Sequence, residues 1–378
     1  MFGKGIKLFK LFGFEVKIDA SWIIIAVLVT LTLAVGVFPF SYKGLSSGIY
    51  WAMGIIGALG LFASIIFHEF FHSIVARKYG LPMKGITLFI FGGVAEMEDQ
   101  PQNAKTEFFM ALAGPLSSIA LGFIFQGVLE IISGLPVYIS GVLAYLSFIN
   151  FVLAGFNLLP AFPLDGGRIL RSALWHWKGN LRWATRIASQ LGSLFGLFLV
   201  LIGVLNVFQG NAVGGIWFFL IGMFIRNASQ MSYQQVLLRK VLEGEPVSRF
   251  MQKNPVTVAP STSVEQFVED YFYKYHFKMF PVANNGDLSG CVSIDEVKSI
   301  PREQWSRSAV GELVHACSPD NTIALEADAM KALAHMSKTG NDKLVVVKDG
   351  HLEGIVTQND ILRFFTAKME LGETGEKT

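Results

Sequence analysis

The hydrophobic positions of this chain fall into two regimes. Through residue 226 they form long runs almost free of charge, and from residue 240 onward they are interleaved with polar residues as in a water-soluble fold. A helix that crosses a bilayer needs ~20 mostly apolar residues. Six stretches qualify, 20–40, 50–76, 106–132, 136–159, 184–208 and 213–226, the last of them short. The first has no small-x-small cleavage site before Phe38-Pro39-Phe40 and reads as a retained helix. Residues 81–98 have another pattern. Ile86-Thr87-Leu88-Phe89-Ile90-Phe91 is β-branched and aromatic, Gly92-Gly93 follows, and then come Glu96, Glu98 and Asp99. That is a strand or hairpin rather than a seventh helix. The predicted fold is a polytopic α-helical membrane protein with six transmembrane helices and a small membrane-associated β-region, followed by a soluble α/β domain. Its parts are a membrane domain over 1–228, a linker helix over 229–245 and a soluble domain over 246–378.

Basic residues sort the loops into two sides. Lys4, Lys7, Lys10 and Lys17 precede the first stretch, and Arg77, Lys78, Lys84 and Lys105 follow the second. Arg168, Arg171, Lys178 and Arg182 follow the fourth, while Arg226, Arg239 and Lys240 follow the sixth. The loops between carry Lys43 alone. The alternation predicts a multi-pass protein of the cell membrane with both termini cytosolic. Charged residues make up 16% of the 378, below the ~25% of a soluble domain. The net charge of +2 gives no case for a nucleic-acid partner. Cys291 and Cys317 both lie in the polar part, where a cytosolic setting predicts reduced thiols.

The second stretch contains His68-Glu69-Phe70-Phe71-His72. Helix positions i and i+4 share a face, so both imidazoles can reach one Zn²⁺. Glu69 then stands where it can take a proton from a bound water. An ionised side chain at the centre of a membrane helix costs ~2.5–3.5 kcal/mol on insertion scales, which weighs against an accidental match. A catalytic zinc also needs a third protein ligand and an open position. The best candidate is Asp165, in the segment from Phe156 to Arg168. It follows the fourth stretch on the same side as His72, and Pro160 and Pro163 break helix there. An ordinary Asp-Gly surface turn is the alternative for this residue.

These motifs resemble the site-2 proteases, a family of intramembrane zinc metalloproteases. The resemblance spans the membrane half and rests on His68-Glu69-x-x-His72, Gly92-Gly93, Ala113-Gly114-Pro115 and Asn157 through Gly166. It implies that His68, His72 and Asp165 bind zinc and that Glu69 is the catalytic base. It also implies that Asn157 positions the scissile peptide or its developing oxyanion. Gly92 and Gly93 would receive an extended substrate segment by strand addition. Many relatives carry Asn three residues after the proline of Gly-Pro, whereas this chain has Ser118, which puts the contact of that amide in doubt.

The soluble part repeats itself. Val247–Met251 corresponds to Val310–Val314, Phe280–Gly286 to Leu344–Gly350, and Gly290–Ser293 to Gly354–Thr357. The two units, 246–304 and 308–367, resemble a pair of CBS domains. The resemblance implies an adenine nucleotide (ATP, ADP or AMP) as regulator, with Thr357 near phosphate and Asp360 near ribose. In the first unit Ser293 is followed by Glu296 where Asp is usual, which predicts poorer binding. Such pairs also imply a homodimer. The function read from the sequence is zinc-dependent endoproteolysis of membrane-spanning proteins, modulated by the CBS pair. The alternative is a CBS-regulated ion transporter or channel, in which intramembrane Glu and His line an ion path.

Overall fold

The computed structural model describes residues 6–90, 92–97, 101–277, 279–284, 287–315, 317 and 319–371. Phe91, Glu98 and Asp99 of the expected strand region lie outside the described residues. The chain divides into two compact units, Met1–Gln234 and Gln235–Thr378.

The first unit opens on a sheet. Strands β1 (Ile6–Leu11), β2 (Phe14–Ile18), β3 (Met83–Phe89) and β4 (Gly92–Met97) lie in sequence order, and β4 ends the sheet. β1 pairs antiparallel with β2, β2 parallel with β3, and β3 antiparallel with β4. The first two strands are an addition to the sequence reading, which took the lysine-rich N-terminus only as a charge signal. Phe12 and Gly13, both at positive φ (48° and 90°), make the tight turn that a two-residue hairpin requires.

Among the described residues, six helices are long and apolar enough to cross a membrane: α1 (Ser21–Ser41), α2 (Ser47–Lys78), α3 (Ala104–Ile131), α4 (Val137–Asn157), α6 (Leu181–Phe208) and α7 (Ala212–Leu242). Polar side chains start four of them, among them Asn211, which accepts from the Gly214 amide at the head of α7. Ser46 accepts from the Ile49 amide, Asn103 from Thr106 and Asn180 from Trp183, each satisfying an orphan donor of the first turn. A seventh helix, α5 (Asp165–Lys178), stands where the sequence reading put a basic loop. Its glycine terminator, Gly179 at φ 66°, follows Lys178 directly. The expected sixth span, 213–226, and the start of the expected linker helix, 229–245, lie in one helix. α7 runs unbroken to Leu242, because no glycine or proline occurs between Gly222 and Gly244.

Without a hydrophobic drive between helices in lipid, close approach falls to small residues. Gly196 and Gly203 of α6 meet Gly222 and Gly215 of α7, so that an added Cβ at 196 or 203 would stand 2.6 Å or less than 3 Å from the facing backbone. Around Phe38, Met53, Phe62, Val142 and Leu146, helices α1, α2 and α4 close the main apolar cluster of this unit.

The second unit is built on a five-stranded sheet ordered β5-β6-β9-β8-β7, with β5 (Met279–Asn284), β6 (Asp287–Ser293), β7 (Thr322–Ala324), β8 (Lys343–Lys348) and β9 (His351–Thr357). The β5–β6 and β8–β9 hairpins meet at Asp287 and His351. The packing crosses the sequence repeat. Val247 and Phe250, which open the first copy, are buried with Leu344, Val346, Val356 and Ile361 of the second. Val310, which opens the second copy, is buried with Val264, Phe280, Val282 and Val292 of the first. Each repeat thus completes the other's core.

Cys291 and Cys317, expected as free thiols, form a disulfide with Cα atoms 5.2 Å apart. The reason is local backbone pairing. The Cys291 amide donates to the His315 carbonyl at 3.0 Å and the His315 amide returns to Cys291 at 3.3 Å, which carries residue 317 across β6.

Candidate metal centre

His68 and His72 sit one turn apart in the last third of α2, 3% and 5% exposed. Each ring has one nitrogen engaged from α3. The Nδ1–H of His72 donates to the Met110 carbonyl at 2.6 Å, and Nδ1 of His68 pairs with the Ser118 hydroxyl at 2.9 Å. A carbonyl can only accept, so the proton of neutral His72 is on Nδ1 and its Nε2 presents a lone pair. Outer partners of this kind hold metal-binding imidazoles in tautomer and orientation. Ser118, the residue at which the motif departs, thus contacts His68 through its hydroxyl.

Asp165 is the first residue of α5. The chain reaches it through the irregular segment 158–164, and the helix then lies back on that segment. A Cβ at Gly166 would stand 2.2 Å from the Leu158 carbonyl oxygen, and one at Gly167 2.2 Å from the Phe162 nitrogen. The two glycines are what let the Asp165 carboxylate into the protein interior. Its Oδ2 lies 3.0 Å from His68 Nε2 and 3.1 Å from His72 Nε2. The carboxylate is 8% exposed.

The three side chains fit a zinc ion. Among the described residues, they are the cluster whose ligand atoms all come within 4.8 Å of one another. Three donors at the corners of a tetrahedron ~2.0–2.2 Å from its centre stand roughly 3.3–3.6 Å apart, somewhat wider than the 3.0 and 3.1 Å from Asp165 to the two rings. Space for the ion comes from α3. A Cβ on Gly114 would land 2.2 Å from His72 Nε2 and 2.5 Å from His68 Nε2. Any side chain at 114 would occupy the point where the ligand atoms converge.

Glu69 is half-buried beside the pair, and β4 passes directly over it. A Cβ on Gly93 would stand 2.8 Å from Glu69 Cγ and 3.3 Å from Ile65. Next to this lies an apolar cavity of about 360 Å³, whose walls include Ile65, Gly92, Phe156, Leu164, Ile221 and Phe224. Asn157, the last residue of α4, is half-buried, and its Nδ2 donates to Leu153 within its own helix at 3.0 Å.

The nucleotide candidates lie in the second unit, and both copies are helix caps. The Thr357 hydroxyl and amide bond the Asp360 carboxylate at 2.7 and 3.1 Å, and the Asp360 amide returns to Thr357, closing a capping box on helix Gln358–Glu370. Ser293 and Glu296 build the same box on Ile294–Lys298. The sequence reading missed the polar pair Asn150–Ser64, joined at 2.9 Å between α4 and α2. It also missed the roles of Met110 and Ser118. Their one signal is spacing, since Met110, Gly114 and Ser118 recur every four residues on one face of α3.

The model of peptidase family M50 matches residues 56–138 and 132–203, and the CBS-domain model matches 247–302 and 310–367. The chain is 32% identical to the zinc metalloprotease MJ0392 of Methanocaldococcus jannaschii over 362 residues, covering 95% of each chain. It is 31% identical to Rip3 of Mycobacterium tuberculosis over 362 residues, covering 95% of this chain and 92% of that one. Among solved structures, the site-2 protease from Methanocaldococcus jannaschii matches at 31% identity and a TM-score of 0.42, covering 60% of this chain and 94% of that chain.

Proposed function

Because the chain belongs to peptidase family M50, the site-2 protease family of zinc metalloproteases, we propose that His68, His72 and Asp165 hold one Zn²⁺ and that Glu69 is the base of peptide hydrolysis. The protein is a polytopic membrane metalloendopeptidase with a tandem CBS pair. That membership replaces the transporter alternative. The observation that carries the reading is the convergence of three ligand atoms, with Gly114 leaving room against both imidazole nitrogens.

A bound Zn²⁺ would polarise the peptide carbonyl and bring the pKa of its water to ~7. The chain's own residues do the rest. Glu69 takes a proton from the attacking water as its oxygen bonds the carbonyl carbon, and passes it to the amide nitrogen as the C–N bond breaks. An amide nitrogen carries two hydrogens. Asn157 spends one on Leu153 and keeps one for the substrate carbonyl. Among the described residues β4 has no neighbour beyond it in the sheet order, so a membrane-spanning substrate can unwind and add along that edge at Gly92 and Gly93. The adjoining apolar cavity suits the side chains of such a segment. The basic loops favour cytosolic termini, with the zinc side of α2 facing the cytosol. Adenine nucleotide at the Thr357–Asp360 and Ser293 helix starts is the regulatory reading, and a CBS-mediated homodimer accompanies it.

Glu69→Gln keeps the side chain's shape but cannot accept a proton. It should retain zinc at the wild-type level by elemental analysis while cleavage of a single-span substrate falls ~10²–10⁴-fold. Near-normal cleavage by this variant removes Glu69 as the base.

A further inference from the structure

Beyond the triad and its base, the metal centre has a second charged layer. Glu107, in the first turn of α3, is 1% exposed. It receives the Arg171 guanidinium through both Nε, at 2.8 Å, and Nη2. Arg171 is itself 7% exposed, and its guanidinium lies 4.7 Å over the Phe162 ring. Arg168 approaches the same carboxylate at 3.9 Å. Both arginines belong to α5, the helix that begins with Asp165.

We propose that Glu107 is a positioning residue for the metal centre, which through Arg171 fixes where the Asp165 carboxylate stands against the two histidines. The proposal rests on the reading of His68, His72 and Asp165 as zinc ligands.

The segment before Asp165, 158–164, is irregular and is anchored at Phe162, whose carbonyl accepts from the Ser229 hydroxyl of α7. On its other side Asp165 is carried by α5, so where that helix docks also sets its position. The ion pair of α5 is to α3, the same helix that orients both rings. Glu107, Met110, Gly114 and Ser118 follow one another by three, four and four residues, the repeat of one helix face. From first to last, that face docks α5, turns His72, leaves room for the ion and turns His68. All three ligands are thereby registered to one rigid element.

A buried ion pair is a poor device for stability alone, because desolvation offsets most of the attraction, and well-packed apolar side chains serve as well or better. What an apolar contact lacks is direction. Nε and Nη2 of Arg171 converge on one oxygen of Glu107, Oε1, which fixes the line along which α5 meets α3. Metal sites need ligand positions good to ~0.2 Å, so this tolerance is where direction matters.

The test separates position from stability. The double variant Glu107→Leu, Arg171→Met removes both charges and leaves neither unpaired. In the purified full-length protein, thermal unfolding of the metal-free form should be unchanged or raised, whereas zinc release to excess chelator should quicken about tenfold or more, the usual consequence of losing an outer partner. Glu107→Asp keeps the charge but shortens the reach by one methylene, and should fold normally and release zinc at an intermediate rate. Wild-type release rates in both variants would overturn the proposal and leave the pair a packing feature. If the double variant does not fold, the release rate of Glu107→Asp decides alone. Wild-type protein that holds no zinc would instead defeat the underlying reading of the triad.

Discussion

At Gly114 the absence of a side chain is the functional property. The two Nε2 atoms lie within 2.5 Å of where its Cβ would be. Gly114→Ala should therefore weaken zinc retention by at least ~10-fold, measured by competition with a chelator, an effect as large as losing an outer partner. Helix propensity works the other way, since Ala is favoured over Gly by ~1 kcal/mol inside a helix, so a general loss of stability is not the expected cause. Unchanged zinc affinity in this variant would place the ion elsewhere. The residues that chemistry restricts most were legible from the sequence. Two histidines one turn apart with a glutamate between them admit few other uses in a membrane helix. Asp165 was legible because it follows the fourth stretch on the side of His72, where Pro160 and Pro163 break the helix. The Met110 carbonyl was not, because a backbone acceptor has no residue type. Ser118 was not, because a serine in a membrane helix more often bonds its own backbone, as Ser64 and Ser73 do here.

At the scale of elements, hydropathy found all six spanning helices but misplaced an end. Arg226 stops the apolar run of α7, yet nothing after it stops the helix until Gly244, because hydropathy and helix propensity are separate properties. Strands β1 and β2 escaped notice because their lysines were accounted for as charge. In the second unit the repeat was legible but not its packing, since sequence similarity does not record which copy's core a segment enters. The same ambiguity attends the nucleotide motif. Thr357 and Asp360 match it and also cap a helix, a sufficient use for both residues. Asp360→Asn keeps an oxygen for the cap and removes the charge. Calorimetry with AMP and ATP on the full-length protein should show binding, weakened several-fold in Asp360→Asn. No binding at millimolar nucleotide would leave these residues as caps and remove the regulatory reading.

For the whole molecule, two signals pull apart. The basic loops favour a cytosolic second unit, where thiols are kept reduced, while the chain's own geometry joins Cys291 to Cys317. The sequence carried only the first signal, because pairing across β6 depends on the His315 register. Orientation is open to direct measurement. Single cysteines introduced as Lys43→Cys or Asn211→Cys in a Cys291→Ser, Cys317→Ser background should react with an impermeant thiol reagent from outside the cell. Lys178→Cys and Lys348→Cys should react only after the cytosolic face is exposed, and the reverse pattern would invert the topology. The central claim, a single zinc held by residues of α2 and α5, is tested most directly by counting metal. The purified wild-type protein should contain about one zinc per chain, the stoichiometry of one three-ligand site. His68→Ala combined with His72→Ala should contain almost none, and Asp165→Asn should hold its zinc more weakly. Stoichiometric zinc in the double histidine variant would contradict the account.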